Sequence, residues 1–356
     1  MNPESRTKGR GAQHNPTNRF AAHSYEMRND YLEYCHLEDE APESLRTSYI
    51  SVFPKTLVTP VDSPDVGFKW SINPYQGCEH GCTYCYARNS HQYWGYSAGK
   101  DFEQKILVKQ NAVALLEHQF NKKSWKPELV MLSGNTDCYQ PAERKFGITR
   151  KLLERFDAWG NPVGIITKNS LILRDLDILK SLNEKKLLRV TLSITSLNEE
   201  LRRFMEPRTA SVKQRLKTLE VLSAAGIQVN VNLAPIVPGL NSHEVFDLVK
   251  AVADHGAHSA VYLMVRLNGQ IGEIFKRWVR LTYPDRADKV LNQIKAVHQG
   301  RLNDNRWGKR MKGDGVEAEN IRDMFQLAVK QYLPKRERTP IDLQQFRKPG
   351  SQLHLF

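Results

Sequence analysis

Cysteine is scarce in this chain, five among 356 residues, and three of the five crowd into positions 78–85. Thiols so few and so unevenly placed exclude a disulfide framework; in a reducing compartment such a cluster binds metal. Glycine and proline are modest, 21 and 17 residues, which excludes collagen-like and low-complexity chains. Long apolar runs are missing. The longest uncharged stretch worth testing for a membrane span, Val221–His243, is interrupted by Asn230, Asn232, Asn241, Pro235 and Pro238, so no spanning helix and no membrane partner are expected. The opening MNPESRTKGRGAQHNPTNRF lacks the apolar stretch of a signal peptide, so a cytoplasmic location is expected. No repeat of 20–50 residues is evident.

Apolar residues make up 40% of the chain, enough for one large core. The net charge of +13 favours an anionic partner such as nucleic acid, although basic surfaces also serve solubility. Residues 1–50 hold six Lys/Arg against eight Asp/Glu, whereas residues 270–356 hold 18 against 10. More than half of the surplus therefore sits in the last quarter of the chain. It includes Lys309, Arg310, Lys312, Lys335, Arg336, Arg338, Arg347 and Lys348, with Trp307 among them, and is a candidate phosphate-tracking surface. The expected organisation is an irregular extension over 1–55, a core over 56–270 and a basic, mostly helical region over 271–356.

Between the extensions, strand-like and helix-like patterns alternate. Strands are expected at Phe68–Asn73, Leu129–Ser133, Val163–Thr167, Arg189–Thr195, Ile227–Leu233 and Ala260–Val265. Helices are expected at Asn111–Phe120, Ala142–Trp159, Leu176–Glu184, Ser211–Ala225 and His243–His255. Such alternation gives a parallel sheet with crossover helices. Ser211 with Gln214 reads as a capping box and Gly226 as a helix stop. Two strands carry a polar face: Thr191, Ser193 and Thr195 in one, Gln228, Asn230 and Asn232 in the other. A parallel sheet covered by helices on both sides reads as continuous apolar runs. A polar face instead suits the lumen of a barrel or half-barrel, or a sheet exposed on one side.

The sharpest motif is Cys78-Glu-His-Gly-Cys82-Thr-Tyr-Cys85, directly after the first core strand. Gly77 and Gly81 relieve crowding in a tight wrap. Three thiolates from one loop suit a four-iron cluster that keeps one iron open, since such clusters ordinarily take four. The alternative is a zinc site completed by His80 or His91, but the second paired knuckle of a zinc ribbon is missing.

C-x3-C-x2-C with an aromatic before the last cysteine resembles the signature of the radical S-adenosylmethionine (SAM) superfamily, and the resemblance extends over Phe68–Arg266. Within it the chain resembles the spore photoproduct lyase-like branch of DNA repair photolyase-like proteins, especially a bacterial group with GRGAQHNPTNRF near its N-terminus, here Gly9–Phe20. Cys-Tyr-Ala-Arg at 85–88, Ser-Gly-Asn-Thr-Asp at 133–137, Thr-Lys at 167–168 and Glu206-Pro207-Arg208 support it. The resemblance implies an α/β fold, a partial (β/α)6 barrel with an N-terminal extension and a helical C-terminal region. Its cofactors would be a [4Fe-4S] cluster on Cys78, Cys82 and Cys85, and SAM. The reduced cluster would cleave SAM to a 5′-deoxyadenosyl radical that abstracts hydrogen from substrate, with electrons from an external donor such as flavodoxin or ferredoxin. A nucleic acid, in photolyase-like lesion repair, is the leading substrate class; RNA, protein or a small metabolite are the alternatives.

Carried over residue by residue, the resemblance places Tyr84 near the adenine and Tyr86 over the cluster pocket. Gly134, Asn135, Thr136 and Asp137 would receive the SAM amino group, mainly through backbone carbonyls. Lys168 would neutralise the SAM carboxylate and Ser193 would bond the ribose or carboxylate, with Ser196 as a rival. Asn230 and Asn232 are candidates to line the pocket, and Glu206 with Arg208 to form a local ion pair. Cys138 is a candidate hydrogen-atom donor. It departs from the photoproduct lyase pattern, because it follows the aspartate of its loop where the family's cysteine precedes Thr-Ser-Asp. Cys35 is read as incidental. The aromatic segment His91–Phe102 is a candidate for stacking bases or for a lid.

Overall fold

The computed structural model describes residues 7–20 and 46–349; Cys35 lies outside them. Among the described residues ten strands form two sheets: β1 (Ser48–Val52), β2 (Thr59–Pro60), β3 (Trp70–Ile72), β4 (Tyr75–Gln76), β5 (Lys105–Lys109), β6 (Val130–Leu132), β7 (Val163–Thr167), β8 (Leu188–Ser193), β9 (Val229–Ile236) and β10 (Ser259–Met264). The larger sheet runs β10-β9-β8-β7-β6-β3-β2. Its six strands β3 and β6–β10 are parallel, and β2 pairs antiparallel with β3 at the edge. The fold is α/β, an open parallel sheet of the partial-barrel kind, with no ladder joining β10 to β2.

All six core strands form where alternation predicts them, with ends displaced by a few residues. Along β8 and β9, Val190, Val229, Val231 and Leu233 are fully buried in the core. Thr191 pairs with Asn230 and Ser193 with Asn232, so the polar faces seen in the sequence meet across the ladder. The helix over Val212–Ala224 begins at the Ser211–Gln214 capping box. The expected helix over Ala142–Trp159 is two helices, Ala142–Phe146 and Ile148–Trp159, because Gly147 sits at φ +62° between them.

The N-terminal extension is less irregular than expected. Ser48–Val52 forms β1, paired in parallel with β5, and β4 pairs with the same strand in antiparallel sense. Short β-branched segments such as β1 gain their order from a partner strand rather than from local periodicity. In the C-terminal region, the helix Val316–Tyr332 covers the β10 edge, with Phe325 against Tyr262 at 4.9 Å and Tyr332 against Phe246 at 5.4 Å. The helix Ile271–Thr282 buries Phe275, Trp278 and Val279 in a second core with Leu201 and Met205.

The two sheet ends are bridged by residues 303–313 rather than by a backbone ladder. Met264 N donates to Met311 O, setting residues 303–313 against β10. From that segment Gly308 N donates to Asp65 (3.0 Å), Arg310 pairs with Asp65 and donates to Ser63 Oγ (2.9 Å). Asp65 and Ser63 belong to the β2–β3 connection.

Candidate functional site

The cysteine loop follows β3 and β4, at the C-terminal end of the parallel sheet, where sites of such folds lie. Gly77 and Gly81 adopt φ +83° and +69°. A Cβ on Gly77 would lie 2.9 Å from Lys105 O, and one on Gly81 would lie 2.8 Å from Glu103 Oε2. Neither position accepts a side chain. The loop's peptide groups are anchored from all sides. Cys78 N donates to Phe102 O, Thr83 N to Met205 O, and Arg208 N to His80 O. Gln140 accepts from Glu79 N and donates to Gly77 O.

Cys78 and Cys82 are buried and Cys85 is half-buried. Burial pushes all three thiols up; for Cys78 the negative Asp137 and the other two cysteines add to it, and for Cys82 the negative Glu206 does. Three thiolates here require a cation among them, which is the chemistry of a metal-binding donor set. Among the described residues, no three His, Cys, Asp or Glu side chains are gathered closely enough to chelate a single ion. His80, one proposed fourth zinc ligand, has both ring nitrogens engaged, with Asp137 (3.3 Å) and Asn169 (3.2 Å). His91, the other, is buried between Tyr96 and Phe102.

The loop after β6 turns sharply. Ser133 sits at φ +76°, a costly conformation for a residue with a Cβ, and its Oγ accepts from Cys138 N at 2.7 Å. A Cβ on Gly134 would lie 2.2 Å from Ser71 Oγ. The Gly134 carbonyl accepts from the exposed Tyr86 hydroxyl (2.5 Å), bridging this loop to the cysteine loop. Asn73 Oδ1 accepts from Asn135 N and Thr136 N, and Thr136 Oγ1 donates to Tyr75 O. Asp137 is a hub: its carboxylate accepts from Thr167 Oγ1, Lys168 N and Tyr139 N, and faces His80. Burial pushes this carboxyl up, but His80 and the backbone donors outweigh it and hold it below its ordinary value. Cys138 is fully buried in the apolar core, where burial raises its thiol well above the ordinary range.

Lys168 lies half-buried at the end of β7, its Nζ 6.0 Å from the Tyr84 ring centroid. The Tyr84 hydroxyl donates to Glu206, which also accepts from Thr195 Oγ1 (2.7 Å) and pairs with Arg215 (2.5 Å). Burial opposes ionisation of Glu206, yet Arg215 and Lys168 bring it to about 2. The expected Glu206–Arg208 pair does not form. Glu206 turns inward to Arg215, whereas Arg208 pairs with Glu79 at 3.4 Å. Ser193 is buried, with its carbonyl accepting from Arg215; Ser196 is held by Glu244. Asn230 bonds Asn232 (3.2 Å) and Ser259 (2.8 Å), and both asparagines are partly exposed.

Two sequence motifs meet behind the cysteine loop. Arg88, fully buried, donates to Cys82 O, Ala98 O and Gly99 O and pairs with Glu103 at 2.5 Å. Glu103 accepts from Gly11 N (3.1 Å) and Ala12 N (2.7 Å) of the GRGAQHNPTNRF segment. Gly11 approaches Gly81 so closely that a Cβ would overlap its carbonyl. Sequence reasoning missed Glu103, Gln140, Asn73 and Arg215, which carry no local signature; their roles arise from partners distant in the chain. The aromatic segment is divided: His91 and Phe102 are core, while Tyr93 and Trp94 are exposed. Much of the C-terminal charge around Trp307 is paired, Arg306 and Lys309 with Asp314 and Arg310 with Asp65.

The family model of the Radical SAM superfamily matches residues 72–252. The chain belongs to that superfamily, with a [4Fe-4S] cluster and SAM as its cofactors. An uncharacterized protein of Mycobacterium tuberculosis (strain ATCC 25618 / H37Rv) is 33% identical over 220 residues; the match covers 61% of this chain and 65% of that relative's length. An uncharacterized protein of Methanocaldococcus jannaschii is 28% identical, over 68% of this chain and 87% of the relative. Among solved structures, spore photoproduct lyase complexed with dinucleoside spore photoproduct shares the fold, with TM-score 0.58, 18% identity and coverage of 81% and 80%. No helix among the described residues is long and apolar enough to cross a membrane.

Proposed function

We propose that Cys78, Cys82 and Cys85 ligate three irons of the cluster and that SAM occupies the fourth, in a cradle built by the loops after β6, β7 and β8. When bound, the reduced cluster and SAM supply hydrogen-atom abstraction from a substrate. The chain's own groups bind and orient. Lys168 neutralises the SAM carboxylate as a point charge. The Gly134–Asp137 backbone receives the amino group, Tyr84 packs along the adenine, Tyr86 closes the pocket from the cysteine side, and Ser193, Asn230 and Asn232 line it. Glu206 and Arg215 hold Tyr84 in place.

The observation carrying this reading is that the loops converge on the cysteine loop: the Tyr86 hydroxyl donates to the Gly134 carbonyl at 2.5 Å, and Lys168 Nζ lies 6.0 Å from the Tyr84 ring centroid. The substrate class is a nucleic acid bearing a photolesion, acted on in a lyase-type radical repair. Support comes from the net charge of +13 and from the fold shared with a lyase solved with a dinucleoside photoproduct.

Anaerobic reconstitution followed by SAM, reductant and a photolesion-bearing dinucleotide tests both levels. The expected result is a brown protein that forms 5′-deoxyadenosine, with formation lost in Cys82→Ala. Full iron loading without that product overturns the radical reading. Product formed without any change in the dinucleotide overturns the substrate class alone.

A further inference from the structure

The helical segment Tyr86–Trp94 follows Cys85 directly and carries Ser90 about one turn beyond Tyr86. The Ser90 side chain joins three elements. Its Oγ lies 2.6 Å from Ala87 O, accepts from Gln76 Nε2 at 2.8 Å and accepts from Asn135 Nδ2 at 2.9 Å. Gln76 belongs to β4 and Asn135 to the loop after β6. We propose that Ser90 is a positioning residue whose hydroxyl sets the orientation of the Asn135 amide, so that Asn135 Oδ1 is presented to the SAM cradle as an acceptor for the amino group. This role rests on the cradle proposed above and adds to it a side-chain acceptor and the residue that turns it.

The hydroxyl proton decides the orientation. A serine hydroxyl carries one proton and a backbone carbonyl carries none. Two oxygens 2.6 Å apart require a proton between them, so the Ser90 proton is committed to Ala87 O. Toward its other neighbours Ser90 Oγ is an acceptor only. An amide that meets it must present its NH2 edge, as Asn135 and Gln76 both do. With its nitrogen fixed on Ser90, the Asn135 amide has one direction left for its oxygen.

That oxygen is available. Asn135 donates from N to Asn73 Oδ1 and from Nδ2 to Ser90 Oγ, and its Oδ1 has no partner among the described residues. Nor is Oδ1 one of the sealed polar atoms of the interior; Asn135 is half-buried. A free amide oxygen accepts from an amino group, whereas the reversed amide would present donors, which suit a carboxylate.

The loop backbone is held without Ser90. Asn73 Oδ1 accepts from Asn135 N (2.8 Å) and Thr136 N (3.1 Å), and Gly134 O accepts from the Tyr86 hydroxyl (2.5 Å). Removing the Ser90 hydroxyl therefore frees the amide while the loop keeps its own anchors. An amide set before SAM arrives lowers the ordering cost of binding.

The test titrates SAM into oxidised, cluster-loaded, full-length protein by anaerobic calorimetry, so that no turnover occurs. Ser90→Ala should weaken SAM binding about fivefold, the scale of one neutral hydrogen bond. Ser90→Thr keeps the hydroxyl and should bind like the parent. Asn135→Ala should weaken binding at least as much as Ser90→Ala. In the Asn135→Ala background the Ser90 substitution should change the affinity by less than about twofold, because the side chain through which it acts is gone. That coupling supports the positioning role, with iron content and unfolding midpoint checked on every variant. A loss of equal size in the two backgrounds is structural and overturns it. Ser90→Ala that binds like the parent while Asn135→Ala binds weakly overturns it too, and leaves the cradle intact. Asn135→Ala that binds like the parent removes Asn135 from the cradle and the positioning role with it. A loaded parent that fails to bind SAM refutes the cradle itself.

Discussion

Arg88 and Glu103 form a completely buried ion pair, 2.5 Å between Nη2 and Oε1, that joins the cysteine loop to the N-terminal segment. Arg88 grips the carbonyl of Cys82 on one side, and Glu103 grips the amides of Gly11 and Ala12 on the other. The GRGAQHNPTNRF segment is thereby part of the wall behind the cysteines rather than a detached tail.

Breaking that pair strands a charge in the interior. Glu103→Gln or Arg88→Met should each destabilise the protein by roughly 3–5 kcal/mol, read from denaturant unfolding. The double replacement should cost less than the sum of the two. The same variants should retain less iron after reconstitution, because the Cys82 carbonyl loses its anchor.

Gly134 has no room for a methyl group, with Ser71 Oγ 2.2 Å and Ser71 Cβ 3.0 Å from the Cβ position. Gly134→Ala should destabilise by about 1–3 kcal/mol and weaken SAM binding by displacing its loop. Adding Ser71→Gly should restore part of both, measured by thermal unfolding and by SAM titration of the loaded protein. Equal SAM affinity in Gly134→Ala would argue against this loop as part of the cradle.

His91 supplies an acid-sensitive element. Burial brings its pKa from 6.5 to about 4; Asp101 opposes the shift, and Lys105 and Arg88 reinforce it. The unfolded chain therefore takes up the proton first as pH falls. Stability from this residue is complete above 6.5 and is lost between 6.5 and about 4, a loss on the order of 3 kcal/mol. His91→Gln should lower stability at neutral pH but flatten the profile across that window, as followed by denaturant midpoints.

Cys138 tests the hydrogen-donor idea. Its side chain is fully enclosed in the core. Cys138→Ala should leave 5′-deoxyadenosine formation within about twofold of the parent. If Cys138 returns hydrogen to the product radical, that variant should divert the product to side products, and solvent deuterium should no longer enter the repaired product. An unchanged product pattern assigns Cys138 to packing alone.

Several features were legible in the sequence because they depend on local spacing. The cysteine trio with its two glycines, the alternation of six strands with five helices, the polar rows of β8 and β9 and the Ser211–Gln214 cap all follow from steric and periodic rules acting within a few residues. The division of the Ala142–Trp159 helix depended on Gly147 taking a left-handed conformation, which a helical pattern permits but does not demand.

What only the tertiary structure decided is which distant groups became partners. Glu206 and Arg208, two residues apart, invite a pair, yet the interior offered Arg215, and a fully desolvated carboxylate binds the cation that burial brings to it rather than the one nearby in the chain. The same selection set Asp65 beside Arg310 across the open sheet, and chain closure seated Gly11 against Gly81. Short-range sterics write element and motif into the order of residues; long-range charge pairing is written only when the chain closes on itself.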